Sequence, residues 1–206
     1  MSHKTRTRQG ATFVREAYKE AGGNLEGYTL IKQDANNKAY KNNATGAINV
    51  GIRGTSNLSD VITDVGHAVG VNISTTDRYK DSKKFLEDLK RQNPTANLNV
   101  YGHSLGGTIV NKLAKENPQL ISSGEAFNPY ALKGSDLDSG GKIKNYRTKA
   151  DVASALGAIN NNIESVGSIF DIAKSITDNH SLSNFYKNGG RIRLMPIDEK
   201  LLSYDM

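Results

Sequence analysis

One six-residue stretch constrains this chain more than any other. Gly102-His103-Ser104-Leu105-Gly106-Gly107 lies between a strand pattern (Leu98, Val100, Tyr101) and a helical pattern over residues 106–116 that stops before Pro118. A serine with glycine two residues before and two after it, in that setting, occupies the apex of a very tight turn, with its hydroxyl exposed above the carboxyl edge of a sheet. Glycine is needed at both flanks because strand and helix pass too closely for a Cβ. The amide of Leu105 then points into the same space, at a helix N-terminus whose dipole favours developing negative charge. The alternative is a plain Gly-rich turn. The strand–turn–helix context, the preceding His103 and the second glycine argue against it.

The rest of the chain supplies strands and helices in alternation. Phe13, Val14, Ala17, Tyr18 and Ala21 share one helical face over residues 11–21, with Gly22-Gly23 as the stop. Residues 28–33 and 38–42 read as strands around the turn-rich Asp34-Ala35-Asn36-Asn37. Residues 47–52 alternate, with Ile48, Val50 and Ile52 to one side, and 78–92 form an amphipathic helix through Tyr79, Phe85, Leu86 and Leu89. Residues 124–127 and 143–148 are further strands. This order predicts an α/β fold around a largely parallel sheet, flanked by helices.

At 206 residues the chain suits one domain spanning 1–206, with residues 1–9 as a basic, flexible tail. The absence of cysteine excludes a disulfide scaffold, thiolate metal sites and a cysteine nucleophile. No apolar run is long enough to span a membrane, and no secretory signal opens the sequence. The expected location is therefore the cytosol, or wherever a particle-borne or injected product is delivered. The net charge of +6 favours acidic surfaces, but it is scattered, with short clusters only at 4–8, 83–84 and 191–193. No nucleic-acid-binding signature accompanies it. A transient contact with an anionic membrane surface is the partner expectation, nucleic acid is not, and the sequence does not fix the oligomeric state.

Gly102-His103-Ser104-Leu105-Gly106-Gly107 resembles the nucleophile elbow of the class 3 (fungal-type) lipases, within the α/β-hydrolase fold. A second block, Gly51-Ile52-Arg53-Gly54-Thr55-Ser56-Asn57-Leu58-Ser59-Asp60-Val61-Ile62-Thr63-Asp64, resembles the same family's strand followed by Arg-Gly-Ser/Thr. Val61 stands where the family usually carries Trp, which would reshape the acyl-pocket wall. The resemblance covers roughly residues 45–185 and implies a compact α/β-hydrolase in which Thr55 supplies an oxyanion-hole amide, and its hydroxyl, opposite the amide of Leu105. A turn or capping residue after the strand is the other reading of Thr55. Arg53 is expected to brace the loop through a salt bridge to Asp60 or Asp64.

A serine nucleophile needs a base and an orienting carboxylate, following in the order Ser, acid, His. Of four histidines, His3 lies in the basic tail, His67 precedes the serine, and His103 is directed away from the apex. His180 is left, in Asp178-Asn179-His180-Ser181-Leu182, which resembles the family's His loop; a surface loop histidine is the alternative. Among Asp136, Asp138, Asp151, Asp171 and Asp178, Asp151 follows a strand at the carboxyl edge, and its surroundings resemble the family's Asp segment. Asp151 also suits a helix N-cap, and both roles are compatible. Val152, Leu156, Ile159, Ile163, Val166, Phe170 and Ala173 form an apolar stripe read as core, with a cap over the site mouth as the alternative. These residues point to a serine carboxylic-ester hydrolase acting on lipid esters, through Ser104, Asp151 and His180, with no metal or organic cofactor in its chemistry. An acyltransferase or small-ester esterase on the same triad, or a catalytically silent lipid-binding domain, are the other readings.

Overall fold

The computed structural model describes residues 3–55, 72–129, 139–147 and 195–196. The elements follow in the order α1 (His3–Tyr18), β1 (Tyr28–Gln33), β2 (Asn37–Asn42), β3 (Ile48–Ile52), a 3-10 turn (Ile73–Thr75), α2 (Asp77–Gln92), β4 (Leu98–His103), α3 (Leu105–Glu116), β5 (Ser123–Phe127), β6 (Ile143–Arg147) and β7 (Met195–Pro196). The seven strands form one sheet in sequential order. β3, β4, β5 and β6 run parallel, and antiparallel pairs flank them, β1–β2–β3 on one side and β6–β7 on the other.

Strand periodicity decides which face each helix covers. Ile48, Val50 and Ile52 of β3, Leu98 and Val100 of β4, and Ala126 of β5 pack in one cluster with Tyr79, Phe85, Leu86 and Leu89 of α2 and Ile109, Val110 and Leu113 of α3. The intervening positions face α1, whose Ala11 and Val14 meet Phe127 and Tyr146 in a second cluster with Tyr18 and Tyr101 at its edge. Phe13 of α1 stacks on Tyr101 at 5.5 Å between ring centroids and meets Tyr28 edge-on at 5.2 Å. The placement of α2 and α3 on one face follows from handedness. Successive right-handed crossovers that advance across a sheet in one direction deposit their helices on the same side.

Two local details differ from the sequence reading. The first helix begins at His3, so the basic segment expected as a tail continues the helix that Phe13, Val14 and Ala17 anchor to the sheet. It ends at Tyr18, earlier than the Gly22-Gly23 stop. α2 starts one residue earlier than expected because Thr76 caps it, its hydroxyl accepting from the Tyr79 amide at 3.3 Å. Among the described residues, no helix is long and apolar enough to cross a membrane.

Candidate active site

β3 and β4 are paired in strict register, Ile48 opposite Leu98 through to Ile52 opposite Gly102. Both strands therefore end at one level, and the loops that follow them, residues 53–55 and 103–105, leave the sheet side by side. The glycines of the second loop have no alternative. A Cβ at Gly102 would lie 2.4 Å from the Gly106 carbonyl oxygen, and one at Gly106 would lie 2.4 Å from the Ile52 carbonyl oxygen. Both obstacles are backbone, which cannot swing aside as a side chain can. Gly102→Ala is expected to destabilise the fold by about 3 kcal/mol, seen as a lower urea midpoint at unchanged m-value.

Ser104 stands at the apex with φ 57° and ψ −127°, one of two non-glycine residues with positive φ among those described. Such a conformation costs on the order of 1–3 kcal/mol and persists only where its surroundings enforce it. Here the Ser104 amide donates to the Phe127 carbonyl at 3.0 Å, and its own carbonyl accepts from Thr108 in α3. A serine at a helix N-cap ordinarily turns its hydroxyl onto the first-turn amides. Ser104 makes no such cap, and its Oγ is buried with no hydrogen-bond partner among the described residues. The expectation of an exposed apex is therefore corrected: Ser104 is only 1% exposed, and a Cβ built at Gly54 would lie 2.8 Å from the Ser104 Cβ.

Leu105, half-buried, opens α3 and leans on the main core. Thr55, half-buried, follows Gly54, the residue in contact with Ser104. Arg53 does brace this loop, with a partner that the sequence reading did not name. Its amide and Nε donate to the backbone and side-chain oxygens of Asn36, at 3.0 and 3.1 Å. Its carbonyl accepts from the Arg78 guanidinium at 2.6 Å. The suggested partners Asp60 and Asp64 lie outside the described residues, as do Val61, His67, Asp136, Asp138, Asp171, Asp178 and the apolar stripe at 152–173.

His103 turns away from the apex toward α1, where its Nδ1 lies 2.8 Å from the Tyr18 hydroxyl and its ring meets the Tyr18 ring edge-on at 6.0 Å. The Tyr18 oxygen also accepts from the Gly54 amide at 2.9 Å. Burial pushes the Tyr18 phenol up to about 12, against the pull of the Gly54 amide and of Arg78 and Arg53, so it stays protonated at neutral pH. Sequence reasoning missed Tyr18. Its only signal is a place on the apolar stripe of α1, which reads as packing.

A strand–turn–helix with a strained serine at its apex, on the carboxyl edge of a parallel sheet, recurs in known proteins. A family model described as serine aminopeptidase, S33, matches residues 57–143, less than half of the chain. Among solved structures, the Lip2 lipase from Yarrowia lipolytica is similar at 16% identity, covering 78% of this chain and 76% of that one, with a TM-score of 0.55. The fold is that of the α/β-hydrolases. A triacylglycerol lipase from Penicillium expansum aligns more weakly, at 16% identity over 74% of this chain and 72% of its own, with a TM-score of 0.49. No curated protein matches the chain.

The α/β-hydrolase fold agrees with what the class 3 lipase resemblance implies. Of the site residues read from sequence, the structure brings Ser104, Leu105 and the Thr55 loop to one edge of the sheet. Asp151 and His180 lie outside the described residues. The described residues hold no group of three or more His, Cys, Asp or Glu arranged to bind a metal ion.

Proposed function

We propose that this α/β-hydrolase is a serine carboxylic-ester hydrolase acting on lipid esters, with Ser104 as nucleophile, His180 as general base and Asp151 as the carboxylate that orients it. The observation that carries the reading is the Ser104 hydroxyl, held by a strained backbone, withdrawn from water and left without a partner among the described residues. Buried polar groups are nearly always paired, so an orphan at a helix N-terminus, beside the dipole's positive end, is a group kept ready for chemistry. Support for Asp151 comes from β6, which runs parallel to β5 and ends at Arg147, four residues before Asp151 in sequence. β6 thus ends at the same sheet edge as β4, the strand that leads into Ser104.

In the reaction, His180 takes the Ser104 proton as Oγ attacks the ester carbonyl. The oxyanion that forms is met by the Leu105 amide and by Thr55, and collapse of the tetrahedral intermediate expels the alcohol, which receives the proton from His180. Water, activated by His180, then releases the carboxylic acid from the acyl-serine. Lipid esters are favoured as substrates by the class 3 resemblance of two separate sequence blocks and by the fold shared with a lipase. Lipid arriving from an anionic interface suits the chain's net charge of +6.

The test is labelling with a serine-directed alkyl phosphonate. Adduct on the peptide containing Ser104, with loss of p-nitrophenyl ester turnover in step, is the expected result, and labelling elsewhere or none overturns the assignment. Turnover across acyl-chain lengths, set against phospholipid vesicles, then separates a lipase from a phospholipase or a small-ester esterase. Thr55 has its own expected signature. Thr55→Ser retains most activity, whereas Thr55→Ala lowers kcat by about 10²-fold with KM little changed, because the lost bond forms only in the transition state.

A further inference from the structure

Three segments far apart in sequence meet at one phenolic oxygen. Tyr18 closes α1; its hydroxyl accepts from the Gly54 amide at 2.9 Å and stands 2.8 Å from His103 Nδ1. Gly54 precedes Thr55, and His103 precedes Ser104. We propose that Tyr18 is a positioning residue of this site, its hydroxyl holding the residue-53–55 loop against the serine turn at the separation that ester hydrolysis requires. The inference rests on the reading of Ser104 as nucleophile and deepens it.

The packing sets the loop tightly against the turn. A Cβ at Gly54 would lie 2.8 Å from the His103 carbonyl oxygen, from Ser104 Cβ and from the Tyr18 hydroxyl, so the bare glycine backbone is wedged among all three. On its other side the loop is held through Arg53, whose amide and Nε bond Asn36 and whose carbonyl accepts from Arg78. Those bonds tie the loop to the β1–β2 turn and to α2. Tyr18 alone, among these partners, touches both the loop and the turn.

The hydrogen bonding is directional. The Tyr18 oxygen accepts from the Gly54 amide, and its own proton is placed to bond His103 Nδ1 when the imidazole carries its proton on Nε2. His103 thereby has a use beside the nucleophile without acting on substrate. In an interior of low dielectric, such a bond holds position better than the same bond in water. Displacement of an oxyanion donor by about 1 Å is enough to cost on the order of 10²-fold in rate.

The experiment compares wild type with Tyr18→Phe, which keeps the ring and removes only the hydroxyl. Both are titrated with the alkyl phosphonate so that rates are expressed per labelled Ser104. The expected result is a kcat per titrated site lower by 10- to 100-fold, KM for a short-chain p-nitrophenyl ester within about twofold, and a less-than-additive loss when combined with Thr55→Ala. A purely structural role would reduce the number of titratable sites and leave kcat per site unchanged, and that outcome overturns the proposal while leaving the Ser104 reading intact. Wild-type protein that neither labels at Ser104 nor turns over ester removes both. Should Tyr18→Phe not fold, hydrogen exchange in wild type decides: the Gly54 amide, beyond the end of β3, should be protected to the level of the strand amides, and free exchange there overturns the clamp.

Discussion

Ser104→Ala is expected to lower ester turnover by about 10⁶-fold, leaving the residual acceleration of binding and oxyanion stabilisation alone. Nucleophile and base act as a unit, so removing His180 in addition should cost little more. The variant should also fold, for a reason opposite to the one that the sequence suggests. The hydroxyl is not on an exposed apex; it is buried and unpaired. Deleting an unsatisfied buried polar group removes a desolvation penalty, so Ser104→Ala should be more stable than wild type by about 1 kcal/mol. Alanine adopts φ 57° no more comfortably than serine, so the backbone strain stays. Urea denaturation beside the ester assay checks both halves. Turnover above a few per cent of wild type would dismiss Ser104 as nucleophile, and a marked loss of stability would mean that its hydroxyl has a structural partner.

Asp151→Asn is expected to lower kcat by about 10⁴-fold. A carboxylate behind an imidazole accepts from its Nδ1–H, which leaves Nε2 lone-paired toward the serine and stabilises the imidazolium formed in the transition state. An amide in its place offers its own N–H to the ring and favours the wrong tautomer, with almost no change in shape. Asp178→Asn should retain near-wild-type turnover, since a residue two positions before His180 reaches the back of that ring poorly. The opposite pattern, Asp178→Asn inactive and Asp151→Asn active, would move the acid to Asp178 while leaving Ser104 and His180 in place.

The parts of the fold legible in sequence are those that local chemistry dictates. Strand β1 falls on the residues 28–33 read as a strand beside a turn-rich segment, and the turn before β2 is built as Asp34-Ala35-Asn36-Asn37 implies, with the Asp34 carboxylate accepting from the amides of Asn36 and Asn37. The two glycines flanking Ser104 are where close passage requires them. The start of α1 was not legible: residues 3–10 carry no apolar stripe, place cations at the helix N-terminus against the dipole, and include a glycine at position 10. Tertiary packing of Phe13 and Val14 outweighs those local preferences. Burial of Ser104 and the meeting of Tyr18, Gly54 and His103 were illegible for another reason. They depend on how two loops and a helix end converge, and no window along the chain contains all three.

The pairing of β3 with β4 has a consequence for how the chain tolerates change. Its partners stand fifty positions apart at every step, from Ile48 and Leu98 to Ile52 and Gly102, and two positions further the same count sets Gly54 beside Ser104, as observed. The two strands thus act as a gauge that measures out which residue of one loop faces which residue of the other. Lengthening or shortening the connections on either side leaves the gauge untouched. Deleting a single residue within β3 would slide its end by about 3.3 Å and turn every side chain to the opposite face. Thr55 would then no longer follow the residue that abuts Ser104. Evolution of this segment is therefore free in loop length and bound in strand length, and an engineer seeking a new specificity should graft on the loops and leave the strand residues 48–52 and 98–102 alone.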